Sequence, residues 1–146
     1  GKGKPKAKSA KAGKVVKADT DGVIACGVDT AKCDGMMYQP DKNNIGGWMD
    51  SKAKAVWTIS VPATGEYAVT FSYGASVAGR GFDITAHKDG VQGTTVVTGK
   101  GMRDPKAVKL GTVTLEKGKQ TITVSAKPFK GGAIMNIYGL TLTPVK

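Results

Sequence analysis

"AVWTISVPATGEYAVTFSY", residues 55–73, is the stretch whose reading decides the fold. Trp57, Ile59 and Val61 alternate with Thr58 and Ser60, and Tyr67, Val69, Phe71 and Tyr73 alternate with Ala68, Thr70 and Ser72. Successive side chains of a strand point to opposite faces, so a period of two marks a ribbon with one face buried and one face wet. "PATG", residues 62–65, separates the two runs and carries the proline and glycine of a tight turn, which predicts a hairpin.

The same pattern extends outward. "GFDITAHK", residues 81–88, puts Phe82, Ile84 and Ala86 on one face and Asp83, Thr85 and His87 on the other, and "KDG" after it predicts another turn. Val113 and Leu115 precede "EKGK", and Ile122, Val124 and Ala126 follow it, which predicts a second hairpin. Val108 and Leu110 cannot share a face with Val113 and Leu115 in an unbroken strand, so a bulge is expected at Gly111. In "GGAIMNIYGLTL", residues 131–142, Met135 and Ile137 have one parity and Leu140 and Leu142 the other. A bulge at Gly139 makes all four inward, and Asn136 and Tyr138 then point outward together.

No stretch sustains a helical apolar period. With 146 residues and 21 glycines, the chain fits one all-β sandwich domain with a single core. No run approaches the roughly 18 apolar residues of a membrane-spanning helix. The opening glycine and the lack of a leader-type segment read as an excised or processed mature form.

The formal net charge of +11 is unevenly placed. The first 17 residues hold seven lysines and no acid, so +7 lies in that arm and +4 in the rest. Residues 1–17 are therefore expected to be a basic arm or linker, disordered in isolation, and 18–146 the β-sandwich domain. Cys26 and Cys33, in "CGVDTAKC", are open to two readings, a local disulfide or two small buried thiols. Two cysteines and one histidine fall short of any zinc pattern. His87 lacks the neighbours of a catalytic histidine and reads as a solvated strand residue.

The series "NNIGGWMD", "AVWTISVPATGEYAVTFSYG", "VKLGTVTLEKGKQTITV" and "KGGAIMNIYGLTLTPV", in that order, resembles the non-catalytic carbohydrate-binding modules of families six and thirty-five, over about residues 22–145. It looks closest to those appended to secreted fucosidases and sulfatases. The resemblance implies a galactose-binding-like jelly roll of two antiparallel sheets, with ligand held by loops at one end. It assigns Asn136 to the ligand-binding asparagine at the start of the last strand, Trp48 to a stacking aromatic and Tyr38 to a second one. A pyranose offers an apolar C–H face to a ring, while its hydroxyls need an amide that donates and accepts. Each residue also has a structural reading: Trp48 as core, Asn136 as a cap for loop backbone.

The departures from the family pattern narrow the expectation. "VVKADTDG" replaces the paired acids that hold calcium, and the last strand ends without the matching aspartate, so the residues argue against calcium; no cofactor and no metal are expected. Arg80 and Arg103 stand where relatives show aromatics, and guanidinium pairs with sulfate or carboxylate. The expected function is therefore non-catalytic binding of a glycan, with acidic polysaccharide as the finer reading, by a secreted, extracellular protein. The 11 acids are scattered singly and no nucleophile motif is present, so no enzyme is expected. The alternative is a self-assembling subunit of an extracellular filament or surface layer, homo-oligomeric through residues 1–17, with Val15 and Val16 laying a strand on a neighbour. A lysine arm attracts any polyanion, but nothing in the chain reads bases, so no specific nucleic acid is expected.

Overall fold

The computed structural model describes residues 9–146. Strands β1 (Val16–Lys17), β2 (Ile24–Cys26), β3 (Lys32–Asp34), β4 (Met37–Gln39), β5 (Asn44–Gly46) and β6 (Lys54–Val61) come first, with one turn of 3-10 helix at Val28–Thr30. Strands β7 (Gly65–Gly74), β8 (Gly81–Thr85), β9 (Gly90–Thr94), β10 (Lys106–Leu115), β11 (Gly118–Ala126) and β12 (Asn136–Pro144) complete the chain. They form a jelly-roll sandwich of two six-stranded sheets. One runs β1-β6-β11-β8-β9 with β3 also on β6; the other runs β10-β7-β12-β5-β4 with β2 also on β12.

The inward parities are as the alternation requires. Trp57, Ile59, Val69, Phe71, Phe82, Ile84, Ile122 and Val124 are fully buried between the sheets. Phe71, Tyr73 and Phe82 meet with ring centroids 5.4–5.8 Å apart, which joins the two sheets through one aromatic cluster. Two of the buried aromatics have their polar ends satisfied: Trp57 Nε1 donates to the Gly27 carbonyl at 2.7 Å and Tyr67 Oη to the Ala63 carbonyl at 2.6 Å.

The predicted hairpins at 55–73 and 113–124 do not form. β6 and β7 lie in different sheets, as do β10 and β11. Each turn is an arch that carries the chain across the core, and the arches nest: β6 pairs with β11, Trp57 opposite Ile122, and β7 with β10, Tyr67 opposite Val113. The two arches are tied where Lys117 N–H donates to Thr64 Oγ1 at 2.9 Å. A hairpin and an arch bury the same parity, so alternation fixes a strand's face without naming its partner. The turn after β8 does make the expected hairpin, β8 with β9.

Both bulges stand where the parity slips. The β7–β10 register shifts between Lys109 and Gly111, and the β7–β12 register between Ile137 and Gly139. Gly139 has φ 150°, a conformation that suits glycine, and the extra residue turns Leu140 and Leu142 back into the core.

Of the expected arm, residues 1–8 lie outside the described residues. Residues 9–17 pack on their own sandwich: Val16 and Lys17 pair in parallel with Ile59 and Ser60 of β6, and Gly13 N–H donates to the Thr30 carbonyl at 3.0 Å. Val16, offered in the filament reading to a neighbour, is thus committed to its own sheet. No helix among the described residues is long and apolar enough to cross a membrane.

Candidate functional site

The loops 47–53, 75–80, 95–105 and 127–135 gather at the end of the sandwich where β12 begins. Two of them are fastened together by buried threonines. Thr98 Oγ1 accepts from Ala75 N–H at 3.0 Å, Thr95 Oγ1 accepts from Arg80 N–H at 3.0 Å and donates to the Val77 carbonyl at 2.8 Å. Ser76 Oγ accepts from Met102 N–H at 3.2 Å. Val77, Val96 and Val97 are exposed on these two loops, and Met49 on loop 47–53.

At the base of these loops the carbonyl of Met102 gathers a polar cluster. Asn136 Nδ2 donates to it at 3.2 Å and Tyr138 Oη at 3.1 Å, while Asn44 Nδ2 donates to Tyr138 Oη at 3.3 Å. Met102 reaches this position because Gly74 lies beneath it: a Cβ there would collide with the Met102 carbonyl. A carbonyl can only accept, so it fixes which way the Asn136 amide points. Asn136 Oδ1 then faces Gly46, as does Gln39 Oε1, 3.2 and 2.5 Å from where a Gly46 Cβ would stand. Two amide oxygens thus flank one bare Cα.

The expected site residues are divided by this geometry. Asn136 does point away from the core, as its parity required, yet it is only 9% exposed, because loop 95–105 covers it. Trp48 is 0% exposed and part of the core, so its ring offers no face to a sugar; the assignment as a stacking platform is corrected. Its backbone carbonyl accepts from Ile134 N–H at 3.0 Å, which pins the ring under the last loop. Tyr38 is opposite Ile45, and Ile45 opposite Ile137, so Tyr38 lies on the inward side of the sheet and Asn136 on the outward side. These two do not come together. Arg103 is exposed beside Met102, and it is Met102 that meets Asn136.

Arg80 is held by its surroundings. Its guanidinium lies 4.7 Å over the Phe129 ring, Nη2 donates to the Lys130 carbonyl at 3.4 Å, and Nη1 is buried with no partner. Among the described residues, the buried side-chain polar atoms without partners are Arg80 Nη1, Asn44 Oδ1 and Trp48 Nε1, and all three lie at this end. Met102, Asn44 and Gln39 escaped the sequence reading. The only signal for Asn44 was its position next to inward Ile45, and Met102 contributes through its backbone, to which sequence is blind.

The remaining candidates are quiet. Cys26 and Cys33 are free, in different sheets, with burial pushing the first thiol up to about 12 and the second up to about 11. Among the described residues no three His, Cys, Asp or Glu side chains are grouped to hold a metal.

Neither a family model nor a curated protein matches the sequence. Solved structures do. A Podospora anserina GH26-CBM35 β-(1,4)-mannanase superposes with a TM-score of 0.71 at 19% identity over 86% of this chain, which spans 28% of the mannanase. A family 35 carbohydrate-binding module from Clostridium thermocellum gives 0.69 at 18% identity, over 84% of this chain and 98% of the module. A Cellvibrio mixtus lichenase 5A module, CBM6cm-2, solved in complex with cellotriose, gives 0.66 at 14% identity, over 84% of this chain and 97% of the module. The chain therefore has the jelly-roll fold of family 6 and family 35 carbohydrate-binding modules.

Proposed function

We propose that the chain is a non-catalytic, extracellular glycan-binding module whose ligand is held at the loop end, next to Asn136. The observation that carries this reading is the pair of amide oxygens, Asn136 Oδ1 and Gln39 Oε1, aimed at the bare Cα of Gly46. Adjacent sugar hydroxyls are donors that suit two such acceptors. The exposed Val77, Val96 and Val97 supply an apolar rim where an aromatic platform is missing. Support comes also from the fold, shared over nearly the whole length of a module solved with cellotriose.

Acidic polysaccharide is the finer reading. The net charge is +11, and Arg80 and Arg103 are the guanidinium groups of this end. The filament alternative has no comparable support, since Val16 and Lys17 are paired within the chain.

Calorimetry against a panel of neutral and sulfated polysaccharides tests the reading. Asn136→Ala is expected to weaken binding about tenfold, equivalent to about 1.4 kcal/mol. Arg80→Gln and Arg103→Gln are expected to weaken only the acidic members. Full affinity in a folded Asn136→Ala variant would remove the loop end as the site.

A further inference from the structure

Two clefts among the described residues differ in chemistry. One, of about 940 Å³, lies on the outer face of the β6–β11 sheet at the end where the two arches turn, and polar side chains line most of it. The other, of about 490 Å³, is lined by Cys33, Met36, Met37 and Tyr38, with Ala12 and Ala31 among its apolar walls. Of the chain's five methionines and two cysteines, three therefore meet in one place.

The chain brings them together by changing sheets. β3 lies on β6 in one sheet and β4 on β5 in the other, so the backbone crosses the side of the sandwich between Asp34 and Met37. Gly35 makes the crossing tight: its φ is 76°, and a Cβ there would stand 2.9 Å from the Ala53 Cβ. Cys33 is opposite Ala55, which is fully buried, so its thiol is turned inward from β3. Met36 stands in the crossing itself, 8% exposed, and Met37 opens β4, half-buried. A buried methionine alone is ordinary core filling. Here a thiol and a second thioether, on strands of opposite sheets, stay partly open beside it. The rest of the lining is neutral. It contains no Asp, Glu or His side chain, and Lys32 lies on the opposite face of β3 from Cys33, with its Cδ and Cγ 3.1 and 3.3 Å from where a Gly13 Cβ would stand.

We propose that Cys33, Met36 and Met37 form a site for a soft monovalent metal ion, Cu(I) or Ag(I). The inference uses none of the glycan-binding residues and stands without that reading. Thiolate and thioether sulfur select soft ions, while the carboxylates that calcium and magnesium favour are missing from the cleft. On binding, the Cys33 thiol gives its proton to solvent and the thiolate bonds to the metal, with the two thioethers completing a sulfur shell. One negative and one positive charge then cancel, and a neutral complex suits apolar walls. A divalent ion would leave a net positive charge with no acid in the lining to offset it.

The test is a competition titration of the full chain, reduced and free of oxygen, in which bicinchoninate contends for Cu(I). A single Cu(I) bound by each chain is expected. Cys33→Ser should abolish this binding. Met36→Leu/Met37→Leu, which keeps the volume and removes both thioethers, should weaken it by about tenfold or more. This double variant leaves the thiol in place, so it decides the matter even where Cys33→Ser does not fold. Cys26→Ala is the control, since that thiol is buried in the other sheet and outside the cleft, and it should change the affinity by less than about twofold, as should Asn136→Ala. Ag(I) should rank the variants in the same order, and copper K-edge absorption should show a first shell of sulfur that thins in the double variant. Full affinity in that variant would reduce the site to a lone thiol and overturn it. Zn(II) or Ca(II) bound as tightly as Cu(I), or equal loss in a folded Cys26→Ala chain, would overturn it as well.

Discussion

The two ends of the sandwich handle their polar side chains in opposite ways. At the loop end, Thr95, Thr98, Ser76, Asn136 and Tyr138 are all bonded to backbone of neighbouring loops. At the far end, Asp89 and Gln120 are bonded to backbone, but Thr58, Thr121, Lys88 and Lys119 line an open cleft with no side-chain hydrogen bond or ion pair among the described residues. The residue types at the loop end are the ones expected to bind, yet much of their capacity is already in use. What a polar residue can offer a ligand depends on how many of its bonds the fold has taken, and that is a tertiary property.

Three substitutions would break or sharpen this contrast. The largest effect is expected at Trp48. Because the ring is fully buried, Trp48→Ala should lower the unfolding free energy by about 3–5 kcal/mol, read from denaturant midpoints. A variant that kept its stability and lost glycan binding would return Trp48 to the ligand and undo the division between core and site.

Trp48, open to a core and a stacking reading in the sequence and buried in the structure, shows where the sequence stops being legible. Alternation gave the inward face of β6, β7, β8, β11 and β12, and the parity slips located both bulges, because burial of one face is a local constraint. It missed which strands pair: the arches at 62–65 and 116–118 look like hairpin turns, and only the competition among partners across the core decides. It likewise missed the three-residue strands β2 to β5, too short to show a period. At the site, the outward direction of Asn136 was legible; its cover was not, since that depends on Gly74 letting the Met102 backbone come close. The resemblance pointed to Asn136, Trp48 and Tyr38 together, but the register turns Tyr38 to the side opposite Asn136, and Trp48 is buried in the core.

A middle effect is expected at Tyr138. Its hydroxyl is the donor to the Met102 carbonyl and the acceptor for Asn44 Nδ2, and Asn44 is fully buried. Tyr138→Phe removes both bonds and leaves the Asn44 amide without a partner, so it should cost about 1–3 kcal/mol. Thermal melting would show it, and a loss under 0.5 kcal/mol, below the usual worth of one hydrogen bond, would mean that the network does not hold loop 95–105.

The smallest effect is expected at the far end, where the same logic predicts almost nothing for stability. Lys119 is the second residue of β11, opposite Ser60, and its charge alone would assign it to the architecture. It has no ion pair among the described residues and is exposed. Lys119→Gln should therefore change the unfolding free energy by less than about 0.5 kcal/mol, the range of exposed substitutions that break no bond. If it is destabilising by more than Tyr138→Phe, then the lysines of the cleft are holding the arches together, and the contrast between a committed end and an open end collapses. If it is neutral, the lysines of the cleft carry no part of the fold's stability, as an open end requires.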